Sequence, residues 1–240
     1  ITGAGGYIGS RLCDFLAKQG NQIIPLYSSQ ISAVNNNNKL ISKAIIGDIT
    51  DDVTINKIYD EQANIIINLV SLDHLESKKN HLNSCKINML PTWNLLEKYS
   101  TSGTLSKFIN FSTVQVYGKN DKVNIEAQPN TAPLNTYALT HLLTEEICNY
   151  YNRKLNSYCV NIRLSNSYGE PFLSDRKCWS LVVNDLVKTA FEDKKIVLKS
   201  DGNIYRDFIH YSDVCNGINK LINESLPKNI MELVRDMENV

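Results

Sequence analysis

Thr113, Tyr137 and His141 are the side chains whose types and spacing suit proton transfer. Thr113 follows a strand-forming run, Lys107 to Ser112, within Phe111-Ser112-Thr113-Val114-Gln115-Val116-Tyr117-Gly118. Tyr137 opens an apolar helical stretch and His141 stands four residues on, so the two share one helix face. A tyrosine that exchanges a proton with an alcohol or ketone needs a lowered pKa, and a neighbouring cation supplies this. A hydroxyl such as that of Thr113 can share the hydrogen bond to the reacting oxygen. Taken alone, Tyr137 reads equally well as an aromatic at a helix start.

Such a group needs a ligand held beside it, and the first ten residues offer a cradle. Gly3, Gly6 and Gly9 recur at a three-residue spacing in Ile1-Thr2-Gly3-Ala4-Gly5-Gly6-Tyr7-Ile8-Gly9-Ser10. Glycine lets the backbone turn tightly and approach a ligand. The first N–H groups of the following helix, at Tyr7, Ile8 and Gly9, then face an anion, which the helix dipole favours. The reading is a strand, loop and helix around a dinucleotide pyrophosphate; an ordinary glycine-rich turn before a helix is the competing one. The familiar G-x-G-x-x-G fingerprint fails at Ile8, and the spacing that fits is T-G-x-x-G-x-x-G.

The positioning elements alternate. Helices are predicted at about 7–19, 51–62, 81–99 and 136–153. Strands are predicted at 22–27, 44–47, 64–70, 107–112 and 158–164, with Pro25 unusual in the first. Segments 28–39, 71–79 and 113–135 read as loops. This order predicts an α/β fold, a doubly wound parallel Rossmann-type sheet with a smaller C-terminal substrate lobe. After Leu164 the rhythm changes to a helix at 179–191, short strands at 196–198 and 207–210, and a helix from Asp213 to Ile222. The dinucleotide-binding domain is drawn at 1–165 with a returning segment near 205–222, and the lobe at 166–204 and 223–240. Ligands in such sheets bind at the carboxyl ends of strands, where Thr113 and Tyr137 would meet over a nicotinamide. A first strand is expected to begin before Ile1. Lys228-Asn229-Ile230 runs straight into Met231-Glu232-Leu233-Val234, so residues are also expected to be missing near 230 and after Val240.

The chain of 240 residues is 42% hydrophobic and 21% charged, the balance of a globular protein. Lys+Arg and Asp+Glu both number 25. Zero net charge argues against nucleic acid or an anionic membrane as partner. No apolar run approaches a membrane span. The six cysteines form no C-x-x-C pair, so no metal site is expected, and a reducing cytoplasm is the expected setting.

Several further segments carry a resemblance. Gly47-Asp48-Ile49 follows a short strand, and Asn88 lies on the helix after the fourth. Arg163-Leu164-Ser165-Asn166-Ser167-Tyr168-Gly169 fits R-x-x-N-x-[YF]-G, and Arg206-Asp207-Phe208-Ile209-His210 with Asp213 fits R-D-[FY]-[IV]-[HY]-x-x-D. With T-G-x-x-G-x-x-G, S-[ST]-x-x-V-Y-G and Tyr137 in the matching order, the chain resembles the extended short-chain dehydrogenase/reductases of the NAD-dependent epimerase/dehydratase type, the UDP-galactose 4-epimerase relatives. The resemblance implies NAD or NADP held by Gly3, Gly6, Tyr7, Ile8, Gly9, Asp48, Ile49, Leu69, Val70, Asn88, Tyr137, His141 and Ser165. It implies a nucleotide-sugar substrate bound by Thr113, Asn166 and Arg206, with Thr113, Tyr137 and His141 catalytic. It also implies a homodimer through helices 81–99 and 136–153, whose outer faces carry Leu82, Ile87, Leu142 and Leu143. Plainer readings stand beside these: Arg206 as a surface ion pair with Asp207 or Asp213, and Asp48 and Asp213 as helix caps.

Three departures matter. The family's Y-x-x-x-K has histidine at position 141. Lysine is cationic near neutral pH, whereas histidine with a reference pKa of ~6.5 is mostly neutral, so a variant enzyme and a weakened binding protein are both open. The acid that usually binds the adenosine ribose is replaced by Tyr27 with Ser28-Ser29, and no arginine stands ready for a 2′-phosphate unless Arg11 reaches. The Asp-Glu pair of the 4,6-dehydratases is Val114-Gln115 here, which disfavours dehydration and leaves epimerisation or keto-sugar reduction.

Overall fold

The computed structural model describes residues 1–29, 39–41, 43–119, 130–154, 158–172, 178–198, 206–224 and 230–233. The four consecutive asparagines and the loop between 120 and 129 lie outside these. Ile65–Asn68 (β3), Lys107–Thr113 (β4), Tyr158–Leu164 (β5) and Ile230–Leu233 (β8) form a parallel sheet in that order. Leu26–Tyr27 (β1) pairs in parallel with Ile45–Ile46 (β2). The segment Ile1 to Ala4 joins the two. Leu26 N donates to the Ile1 carbonyl at 2.8 Å, Ala4 N to the Leu26 carbonyl at 3.2 Å and Thr2 N to the Ile67 carbonyl at 3.0 Å. The order is therefore β2, β1, the Ile1 segment, β3, β4, β5, β8. Strand order reverses beside the Ile1 segment, the place where doubly wound sheets open a crevice for ligands.

Side-chain alternation builds a core on each face. Ile67, Ile109, Phe111, Val160 and Ile162 meet Leu12 and Leu16 of Tyr7–Lys18 (α1) and Val214, Ile218 and Leu221 of Tyr211–Asn223 (α8). Ile66, Phe108 and Cys159 point the other way. They meet Ile55 and Ile58 of Asp52–Asp60 (α2), Leu95, Leu96 and Tyr99 of Leu90–Tyr99 (α5), and Cys148 and Tyr151 of Thr136–Asn152 (α6). Burying a side chain such as Phe108 stabilises the fold by about 1.5–3 kcal/mol.

Several expectations change. Pro25 has no N–H, so the predicted strand 22–27 narrows to β1, with Ile23 bridging Ile41 separately. The loop 71–79 contains a helix, His74–Lys79 (α3), because the Asp73 carboxylate accepts from Leu75 N and Glu76 N. The long helix 81–99 is divided into His81–Ser84 (α4), a π-helical turn Cys85–Met89, and α5. Pro91 cannot donate to the Ile87 carbonyl, and the widened turn precedes it. Ile196-Val197-Leu198 is not a strand; it is exposed and has no partner strand among the described residues. His210, not Asp213, caps α8. Residues 230–233 neither run into a helix nor extend the lobe: they are the edge strand beside β5. Asn166–Tyr168 (β6) pairs with Phe208–His210 (β7), and Val182–Glu192 (α7) completes the described part of the lobe.

Candidate active site

The glycine turn is built at the reversal of strand order. Gly3 has φ of +67°, a conformation that L side chains rarely adopt. A Cβ on Gly9 would stand 2.2 Å from the Gly3 carbonyl oxygen, so helix and turn meet backbone to backbone. Gly6 differs. Its N–H donates to the Gly3 carbonyl at 2.9 Å, it caps α1, and a Cβ there would meet only that carbonyl, at 3.2 Å. The mouth of the turn is thus open where the unpaired N–H groups of the first helical turn emerge. These residues fit a dinucleotide pyrophosphate. Leu69 forms the facing wall: its backbone lies 3.1 Å from a Gly3 Cβ, and its N–H donates to Thr2 Oγ1 at 3.2 Å. Val70 follows it, partly buried.

Other expected cofactor residues divide between ligand-facing and scaffold positions. Asp48 is exposed after β2 and accepts from Thr50 N and Thr50 Oγ1, both at 2.9 Å, while Ile49 is buried in the core. Asp51, rather than Asp48, occupies the cap position of α2. Tyr7 sends its hydroxyl to the Gly169 carbonyl at 2.8 Å, and burial pushes its pKa up to about 12. Only its backbone can serve the turn. Asn88 spends its amide on protein: Oδ1 accepts from Leu72 N at 2.8 Å and Nδ2 donates to Thr140 Oγ1 at 2.9 Å. It ties the loop after β3 to α6. Ser165 ends β5 buried, with no hydrogen-bond partner for its hydroxyl, as a ligand contact requires.

The acid–base group assembles at the end of β4. The Asn135 carboxamide oxygen accepts from Ala138 N at 2.8 Å, capping α6 and setting Tyr137 in its first turn. Asn135 Nδ2 also donates to Gln115 Oε1 at 3.1 Å, tying that helix start to the turn after Thr113. Thr113 Oγ1 accepts from Gln115 N at 3.2 Å and bonds the Tyr137 hydroxyl. Tyr137 is held up at about 12, because burial of its hydroxyl outweighs the hydrogen bond from Thr113.

His141 lies beside it, the ring centroids 4.5 Å apart. Its Nε2 is 3.0 Å from Ser71 Oγ, and its ring also bonds the Phe111 backbone. Burial lowers its pKa to about 4. At neutral pH it is an uncharged, doubly anchored imidazole. It does not supply the cation that the lysine of Y-x-x-x-K would. Ser71 escaped the sequence reading, since nothing in a polar loop marks it as the partner of a histidine far along the chain.

In the lobe, Asn166 Nδ2 donates to the Asp207 carbonyl at 2.9 Å. It thereby joins the segment that carries exposed Arg206. Both expected substrate residues thus stand at one end of the β6–β7 pair. Arg11 does not reach toward the end of β1. Its guanidinium donates to the Glu170 and Pro171 carbonyls and lies 4.5 Å over the Tyr211 ring, clamping α1 to the lobe. No group of residues that could hold a metal ion occurs among the described residues, and no described helix is long and apolar enough to cross a membrane.

Residues 1–233 match the model of the NAD dependent epimerase/dehydratase family. The chain belongs to that family. Among its relatives are a putative UDP-glucose 4-epimerase of Methanocaldococcus jannaschii, 27% identical over 215 residues, with 89% of this chain and 70% of the relative covered, and protein CapI of Staphylococcus aureus, 25% identical, with 95% and 70% covered. A dTDP-D-glucose 4,6-dehydratase of Dictyostelium discoideum is 24% identical, with 99% and 58% covered. Among solved structures, the fold is similar to that of a Bacillus cereus UDP-glucuronic acid 4-epimerase bound to UDP-glucuronic acid and NAD. That match has a TM-score of 0.82 and 23% identity, over 98% of this chain and 76% of the other.

Proposed function

We propose that this chain is a nucleotide-sugar epimerase or 4-keto-sugar reductase in which Tyr137 moves the hydroxyl proton and Thr113 holds the reacting oxygen. The observation that carries this reading is the hydrogen bond between Thr113, at the carboxyl end of β4, and Tyr137, in the first turn of α6. NAD, when bound, supplies and accepts the hydride. The glycine turn would hold its pyrophosphate, Ser165 offers a free hydroxyl to it, and Asn166 with Arg206 would take the sugar diphosphate. Dehydration is the weaker alternative, although a 4,6-dehydratase stands among the relatives. Val114 and Gln115 carry no acid or base, and Gln115 is engaged with Asn135.

A second reading, a nucleotide-sugar-binding protein of weak turnover, is supported by His141, which leaves Tyr137 without a cationic neighbour. Tyr137→Phe decides between them. With UDP-, dTDP-, GDP- and CDP-sugars as substrates, the enzyme reading expects loss of about 10²–10⁴-fold in kcat with NAD binding retained. Full activity in the variant would sink the mechanism, and NAD binding without turnover of any sugar would favour the binding protein.

A homodimer is supported by the exposed apolar side chains Leu82, Leu90 and Trp93, from α4 and α5, and Leu139, Leu143 and Tyr150 of α6. Ile87 and Leu142 are partly buried beside them. Sedimentation of the wild type against Leu143→Lys tests this; a wild type that sediments as a monomer would refute it.

A further inference from the structure

Beneath the acid–base group lies a buried charged cluster. Glu145 stands one helical turn beyond His141 and two beyond Tyr137, and is 1% exposed. Its carboxylate accepts from Ser112 Oγ at 2.5 Å, from Arg163 Nε at 3.0 Å and from Arg163 Nη2 at 2.7 Å. Arg163 also packs 4.7 Å under the Tyr117 ring. Ser112 and Arg163 face each other in the β4–β5 register. Each precedes site residues: Thr113 follows Ser112, and Ser165 and Asn166 lie just beyond Arg163.

The cluster ends a polar ladder. Thr2 Oγ1 donates to Asn68 Oδ1 at 2.7 Å, Asn68 Nδ2 to Asn110 Oδ1 at 3.3 Å and Asn110 Nδ2 to Asn161 Oδ1 at 3.0 Å. Asn161 Nδ2 then reaches the Glu145 carbonyl at 3.4 Å. It runs from the residue before Gly3 to the helix that carries Tyr137. A buried ion pair generally adds little net stability compared with apolar residues of similar volume. What it does provide is direction: a bidentate guanidinium–carboxylate pair fixes both partners in plane and distance.

We propose that Glu145 is a positioning residue for the Thr113–Tyr137 pair: through Ser112 and Arg163 it locks α6 against the ends of β4 and β5, and so sets the distance between the two reacting hydroxyls. This rests on the proposed function. The geometry separates it from a plain core role, because each of the three elements it joins delivers at least one site residue. A displacement of about 1 Å in a reacting geometry costs on the order of 10²-fold in rate.

The test uses the full chain with Glu145→Met and Arg163→Met together, an apolar replacement of similar volume. The expected result is a folded protein with NAD affinity within about threefold of wild type and sugar KM little changed, but kcat lower by about 100-fold. A second readout does not need turnover. The chain has four histidines, and the His141 ring resonances are identified by their loss in His141→Asn. If α6 loosens from β4, the titration of His141 moves up toward its ordinary value. A folded double variant with kcat within about threefold of wild type and unchanged His141 titration overturns the proposal. Should the double variant not fold, Ser112→Ala keeps the ion pair and cuts only the β4 link, and an unchanged kcat and His141 titration there overturn it equally. If the wild type turns over no sugar, the enzyme reading fails by itself, while the His141 titration still judges the role of Glu145.

Discussion

Replacing His141 by lysine restores the cation that the family pattern places beside the tyrosine, and the size of the effect follows from the structure. The Tyr137 and His141 rings lie 4.5 Å apart. At about that separation and an effective dielectric of about 20, a unit cation attracts a phenolate by about 4 kcal/mol, or about 3 pKa units. Burying the ammonium gives part of this back, leaving a fall of about 2 units. Tyr137 stands at about 12 in the wild type. At pH 8 about one molecule in 10⁴ therefore carries the phenolate, against about one in 10² for His141→Lys. The variant phenolate is a weaker base, so the gain in kcat at that pH is roughly tenfold. Initial rates of sugar interconversion between about pH 6 and about pH 9 measure it. In that range the wild-type rate should climb with pH, because the base form of Tyr137 is still scarce. A folded, NAD-binding His141→Lys protein that is no faster than wild type at any pH, beside a flat wild-type profile, would refute the reasoning.

The stability of the protein should depend on His141 in acid. Its folded pKa is about 4 and its ordinary value 6.5. Above about pH 6.5 both states are neutral; between there and about pH 4 only the unfolded chain takes up the proton, so stability falls by about 3 kcal/mol as pH drops through that window. Chemical denaturation as a function of pH checks this, and His141→Asn should flatten the slope. Gly9→Ala places a Cβ 2.2 Å from the Gly3 oxygen, and should cost about 1–3 kcal/mol and abolish NAD binding. Gly6→Ala meets only a 3.2 Å contact; it should fold within about 1 kcal/mol of wild type yet weaken NAD in a calorimetric titration. Arg11→Ala removes the clamp on the Glu170 and Pro171 carbonyls. The sugar KM should rise several-fold while NAD affinity stays level, and a large loss of NAD affinity would show that Arg11 serves the cofactor instead.

Much of the scaffold was legible because parallel strands buried on both faces leave continuous apolar runs such as Ile65-Ile66-Ile67 and Phe108-Ile109, and because the glycine spacing reports a backbone approach that no other residue permits. The elements misread share one cause: their form depends on partners distant in sequence. The segment 230–233 is a strand because β5 offers it an edge. Ile196-Val197-Leu198 has strand composition without a partner. Asn88 fits a ligand-binding pattern, yet the tertiary fold engages both ends of its amide.

For the active site, residue types and order already paired Thr113 with Tyr137 and exposed the missing lysine, since these are properties of positions along the chain. The charge state of His141 was decided only in three dimensions. A neutral imidazole with a pKa near 4 results from burial and from anchors at Ser71 and Phe111. Glu145 is likewise one more charged residue on a helix until folding closes water away from it and sets Arg163 and Ser112 against its carboxylate. Desolvation and hydrogen-bond direction depend on what surrounds a group, and that is settled by packing between elements far apart in the sequence.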